Sequence, residues 1–158
     1  ALMPQWRLYP VVQALQALRG VQWFVALTVV AELGDLTRFD SPRQLSAFVG
    51  LVPSEDSSGR RRRLGSITKT GNARARRALV EGAWAYRCPA KVSAHIQRRI
   101  ETLPKPLQDI GWKAQVRLCK RFRRLVARGK HANVAVTAIA RELLAFMWAI
   151  ARTVPITA

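Results

Sequence analysis

The sequence predicts an all-α fold, and three observations carry that expectation. Apolar residues recur at spacings of three and four along most of the 158-residue chain, the period of a helix that buries one face. Helix punctuation is well placed, as in Asp40-Ser41-Pro42 at a start and Gly50 at a stop. The helical period lapses chiefly in residues 51–72, where glycine and serine gather. Hydrophobic residues make up 49% of the chain, enough to bury a core at this length, and the length prior favours one domain over residues 1–158.

Taken in order, Pro10 suits a first helical position, and Val11, Val12, Leu15 and Leu18 follow at helical spacing until Gly20. The run VQWFVALTVVAEL is apolar nearly all round, which predicts a fully buried helix ended by GDL. A third helix runs from Pro42 through RQLSAFV to Gly50 and completes a helical hairpin region, residues 1–50. Residues 51–72, LVPSEDSSGRRRRLGSITKTGN, form one long basic loop in which Ile67-Thr68 favours a short β-hairpin. Helical patterning returns in residues 73–158: a helix from Ala73 to about Tyr86, a break at Cys88-Pro89, and a short helix in KVSAHIQRRIETL ended by Pro104. A long helix follows from Pro106 to Arg128, closed by Gly129, and a last one covers residues 133–152. Trp23, Trp84 and Trp148 fall in apolar runs and are expected in the core, whereas Trp6 and Trp112 are not assigned by pattern.

The charge is large and segregated. Lys and Arg number 27 against 9 Asp and Glu, a net charge of +18 that repels itself in a compact fold unless a polyanion offsets it. Nucleic acid is the expected partner. Between Gly59 and Leu79 stand eight basic residues, Arg60, Arg61, Arg62, Arg63, Lys69, Arg74, Arg76 and Arg77, and no acid. Guanidinium forks match phosphate oxygens in pairs. On the long helix, Lys113, Arg117, Arg121, Arg124 and Arg128 follow at spacings of four, four, three and four, which places them on one face. Leu118, Phe122, Leu125 and Val126 occupy another, while Lys120 and Arg123 widen the basic surface. Such a helix packs by one side and follows a phosphate backbone with the other.

Other classes are disfavoured. The most apolar stretches, 21–31 and 143–151, are shorter than the roughly 20 residues of a spanning helix, so a soluble, cytoplasmic, nucleoid-associated protein with no membrane partner is expected. The first residues, ALMPQWRLYP, lack the pattern of a secretory signal. Cys88 and Cys119 have no CxxC or CxxH neighbour, so neither a metal site nor a disulfide framework is predicted.

The order GLVP, SSG, a run of arginines, ITKTGN and RRAL within VVAELGDLTRFDSPRQLSAFVGLVPSEDSSGRRRRLGSITKTGNARARRALVEGAW resembles the signature region of the insertion-sequence one-ten transposase family. The resemblance is dense from about Leu18 to Tyr86. It implies a two-part enzyme: an N-terminal RuvC-like domain with four acidic residues and Mg²⁺, and a C-terminal domain bearing a serine nucleophile, to which this chain corresponds. It further implies that DNA is cut and rejoined by an oligomer guided by a structured RNA from the element itself. No cofactor is expected on this chain, and alone it is expected to be inactive.

The serine before glycine in that motif maps to Ser58. Attack of its hydroxyl on a phosphodiester gives a phosphoserine ester that conserves the bond energy for rejoining, and Arg60 to Arg63 supply positive charge for the non-bridging oxygens. Chemistry alone does not choose between Ser58 and Ser57; Ser54 and Ser66 are weaker competitors, since loop serines often only satisfy local backbone. His95 and His131 lie far away in sequence, so the resemblance's acidic site on the other domain is the better source of a base. Lys69, Asn72, Arg76 and Arg77 carry over as phosphate contacts, with Gly71 turning the chain into the next helix. The segment ALRGVQWFVALTVVAEL resembles a helix-hairpin-helix element, but its hairpin reads Gly20-Val21-Gln22 where the second glycine is usual. The competing reading is a noncatalytic nucleic-acid-binding module in which the SSG loop is only a phosphate clamp. A membrane-surface protein would need an apolar face beside the basic stripe.

Overall fold

In the computed structural model the last helix, which buries more residues than any other described helix, becomes the chain's axis. The structure describes residues 3–58 and 61–156, and for residues 3, 55–58 and 61–64 the description is of the backbone. The axis is α7, Ala132–Thr153, whose buried residues Val136, Ile139, Ala140, Leu143, Leu144, Met147 and Ile150 recur at helical spacing along one stripe. Around it pack α1 (Tyr9–Leu15), α3 (Pro42–Val49), α4 (Ala73–Ala83) and α6 (Lys105–Ala127), while α2 (Trp23–Leu33) lies on α1 and α4. A short α5 (Ala94–Ile100) precedes α6. The fold is all-α, as the period predicts. By length and composition α7, with a mean hydropathy of 1.7, is apolar enough to cross a membrane, which the expectation from its most apolar stretch missed. Its burial within the helical core accounts for that composition.

The caps follow the punctuation. Ser41 accepts from the Gln44 amide and Pro42 occupies the first turn of α3, while Ser93 accepts from Ile96 at the start of α5. The helix expected up to Leu18 is shorter, and residues 16–18 continue as hydrogen-bonded turns. Gly20 then turns the chain with φ +80, and a Cβ there would lie 2.2 Å from the Gly82 carbonyl oxygen of α4. The hairpin glycine is therefore closed against another helix.

Two expectations need correction. Helix α2 is not buried all round: Val25, Ala26, Val29, Val30 and Leu33 face the core, but Trp23 is 43% and Phe24 70% exposed. Uniform apolarity says nothing about which turn overhangs the packing partner. Trp84 and Trp148 do pack against the core, and Trp148 Nε1 donates to the Phe39 carbonyl at 3.0 Å. Secondly, residues 51–72 are not chiefly loop. Strand β1 (Pro53–Ser58) pairs antiparallel with β2 (Arg61–Ile67), and the register slips between Pro53 and Glu55. This is the favoured hairpin, extended well beyond Ile67-Thr68.

Candidate nucleic-acid interface

The hairpin is held at its foot by backbone and arginine. Thr68 donates to the Val52 carbonyl and Lys69 to that of Gly50, each at 3.0 Å. The Arg76 guanidinium reaches up from α4 and donates to the carbonyls of Val49 at 3.0 Å and Thr70 at 2.9 Å. From α7, Arg141 donates to the Leu51 carbonyl at 3.2 Å; its burial, with Arg121 nearby, lowers its hold on its proton, and Glu142 partly offsets this. Gly71, at φ +78, follows Lys69 (φ 56) and Thr70, and a Cβ on it would meet the Phe48 carbonyl oxygen at 2.0 Å. The GN pair of the ITKTGN motif is thus a geometric requirement: glycine for the turn, then Asn72 as the cap of α4.

At the hairpin's far end, Ser58 stands opposite Arg61, Ser57 opposite Arg62 and Asp56 opposite Arg63. By strand alternation, positions 56, 58, 61 and 63 share one face of the ribbon and 55, 57, 62 and 64 the other. The register therefore separates Ser57 from Ser58 by face. Arg60, a residue expected to bind phosphate, lies outside the described residues. Ser54 is at the foot, its Oγ 2.5 Å from where a Cβ on Gly65 would sit. Ser66 lies beside the start of α7, lining a cavity of about 490 Å³ with Lys69, Asn133 and Arg141.

The remaining expected contacts divide into free and engaged groups. Lys69, Arg74 and Arg77 are exposed, and Arg74 lies 3.6 Å from Glu32. Asn72 is engaged at both ends of its amide: Nδ2 donates to Glu32 at 2.6 Å and Oδ1 accepts from the Ala75 amide at 3.0 Å. Arg76 is half-buried and clamps the two carbonyls named above. On α6, Arg117 and Arg121 both pair with Glu142 of α7 at 2.6 Å, an acid that the stripe's own sequence does not reveal. Lys113, Lys120, Arg123, Arg124 and Arg128 are exposed and have no ion-pair partner among the described residues. Because Arg121 and Glu142 also act on Arg141, whose guanidinium holds the hairpin foot, the two basic clusters adjoin across α7.

Glu32, Glu142 and Arg141 carry no local sequence signal, since the partners named above are 21 to 90 residues away. Exposed Trp112 could have been found, because it shares the polar side of α6 with Lys113. Neither histidine belongs to the hairpin: His131 caps α7 through Nδ1, and His95 is exposed on α5. Among the described residues, no three His, Cys, Asp or Glu side chains converge to hold a metal.

Comparison with known proteins adds a family likeness. The family model described as transposase IS116/IS110/IS902 matches residues 12–97, taking in α2 to α4, the hairpin and parts of α1 and α5. The putative transposase y4qE of Sinorhizobium fredii is 51% identical over 150 residues, 95% of this chain and 38% of that protein. The transposase for insertion sequence element IS1111A of Coxiella burnetii is 47% identical over 73 residues, 46% of this chain and 20% of that one. The probable family 20 transposase of Pseudomonas aeruginosa is 41% identical over 80 residues, half of this chain and 24% of its own length. The chain thus spans less than two fifths of the length of these relatives.

Proposed function

The chain belongs to the IS116/IS110/IS902 family of transposases, and from that premise we propose that it supplies the serine nucleophile and a phosphate-binding surface for DNA transposition. The observation that carries the reading is the register of the hairpin, in which Ser58 of the SSG motif stands opposite Arg61 on a ribbon whose second strand begins with three arginines.

In this reading the Ser58 Oγ attacks a DNA phosphorus, one phosphodiester bond breaks, and the displaced strand leaves with a hydroxyl end. The phosphoserine ester keeps the bond energy, so a hydroxyl from another strand reverses the step and joins without ATP. Arg61 and Arg63, at positions on the Ser58 face of the ribbon, stabilise the charge on the non-bridging oxygens, and Arg60, Arg62, Lys69 and Arg77 hold flanking phosphates. Arg76 and Asn72 act as positioning residues through the clamp and the cap. In this reading no step on this chain runs through a metal. The proton acceptor, with Mg²⁺, belongs to an N-terminal RuvC-like domain, and the working enzyme is an oligomer that also holds a structured guide RNA. Residues 1–50, 51–72 and 73–158 serve as helical support, active hairpin and basic helical body of one domain.

A second reading is a module that binds nucleic acid without cutting it, favoured by the absence of a histidine from the hairpin. The two separate in the full-length transposase with element-end DNA. Ser58→Ala is expected to abolish the covalent protein–DNA adduct while Ser57→Ala retains it. Adducts surviving in both variants leave the binding module.

A further inference from the structure

Helix α6 carries an exposed apolar pair in the middle of its cations. Trp112 is 47% and Val116 46% exposed, one helical turn apart. They line a shallow groove of about 600 Å³ with Lys113, Lys120, Arg121 and Arg124. An indole left half in water on a helix with a fully used core face is unusual, since Leu107, Ala114, Leu118 and Cys119 already do the packing. The side-chain groups lining the groove are donors: indole N–H, ammonium and guanidinium. The neighbouring acids are already engaged: Glu142 by Arg117 and Arg121, and Asp109, one turn before Trp112, by Lys105.

We infer that this groove holds an unpaired nucleotide of single-stranded DNA, the base stacked on Trp112 and its flanking phosphates on Lys113, Lys120 and Arg124. The inference rests on the reading of the chain as a DNA-handling transposase domain, and adds which form of DNA this surface takes. Positions 113, 120 and 124 fall along one line of the helix, a span of roughly 16 Å at 1.5 Å per residue, or a few nucleotides. Stacking on an aromatic ring requires a free base face, which a duplex does not offer and a strand does. A second copy of the chain is a poor occupant, because it would bring an equally positive stripe against this one. DNA is the chosen strand because strand exchange opens DNA and because the lining side chains present no free acceptor for the proton of a ribose 2′-hydroxyl.

The test uses the chain with labelled oligothymidylate of about 12 nucleotides, oligouridylate of the same length, and a duplex of the same length. Trp112→Ala is expected to weaken oligothymidylate binding about tenfold or more, Trp112→Phe by less than about threefold, and duplex binding to stay within about twofold. The Lys113→Gln/Lys120→Gln pair is expected to reduce the salt slope on oligothymidylate by about 1.4. Equal losses on strand and duplex, no loss in Trp112→Ala, or oligouridylate bound as tightly with the same Trp112 dependence would each overturn the inference. Because Ser58 chemistry is not measured here, failure of this groove leaves the adduct result standing, and failure of the adduct result leaves this comparison readable.

Discussion

Glu32 of α2 accepts a 2.6 Å hydrogen bond from Asn72, forty residues later, and so fixes the amide whose other end caps α4. That single contact orients the turn that delivers the hairpin back to the helices. Asn72→Ala removes the cap and leaves the half-buried Glu32 carboxylate only its longer contact with Arg74, and is expected to cost about 1–3 kcal/mol. Asn72→Asp keeps a capping oxygen but sets two carboxylates together, so its deficit should shrink on acidification. Urea unfolding at pH 7 and pH 4 checks both.

Gly71→Ala forces a side chain into positive φ and against the Phe48 carbonyl. A loss of about 3 kcal/mol is expected, read as a fall in Tm of roughly 6–12 °C. A fall under about 2 °C would show that the turn can rearrange.

Tyr86 is fully buried, and its hydroxyl has no partner among the described residues. Tyr86→Phe is therefore expected to be neutral or stabilising. Burial pushes the phenol's pKa well above its ordinary value, and burial raises the Cys119 thiol as well. Both groups keep their protons longer when folded, so the stability they contribute is complete below their unfolded values, about 8.5 for the thiol and 10 for the phenol, and is lost as pH rises beyond them. Denaturant titrations from pH 8 to 11 should show falling stability, with a shallower fall above pH 10 in Tyr86→Phe.

Glu142→Gln releases Arg117 and Arg121 from their shared acid. DNA affinity at low salt is expected to rise about two- to fivefold with a steeper salt dependence, while stability falls by about 1–3 kcal/mol because the Glu142 side chain is only 20% exposed and its contact with the Arg121 Nε is shut off from water. Unchanged affinity would mean that these arginines already reach phosphate.

Helix positions were legible because cap residues and period agree locally: Ser41-Pro42 and Gly50 bound α3, and Gly129 ends the region of α6. The extent of the hairpin was not, because arginine, serine and aspartate have weak strand preference and only cross-strand pairing holds them extended. Trp23 misled, since its apolar neighbours hide that the first turn of α2 overhangs its partners. At the hairpin's foot, Gly71 was legible as the turn into α4. The uses of Asn72, Arg76, Arg117 and Arg121 were not, because their partners Glu32, Val49, Thr70 and Glu142 are brought in by tertiary packing.

The most direct measurement is to trap the full-length transposase on element-end DNA, digest both polymers, and locate the residual nucleotide on the peptide by mass spectrometry. A nucleotide phosphate on Ser58 is the expected result. The same remnant on Ser57, on another residue, or on none would contradict the assignment of the nucleophile.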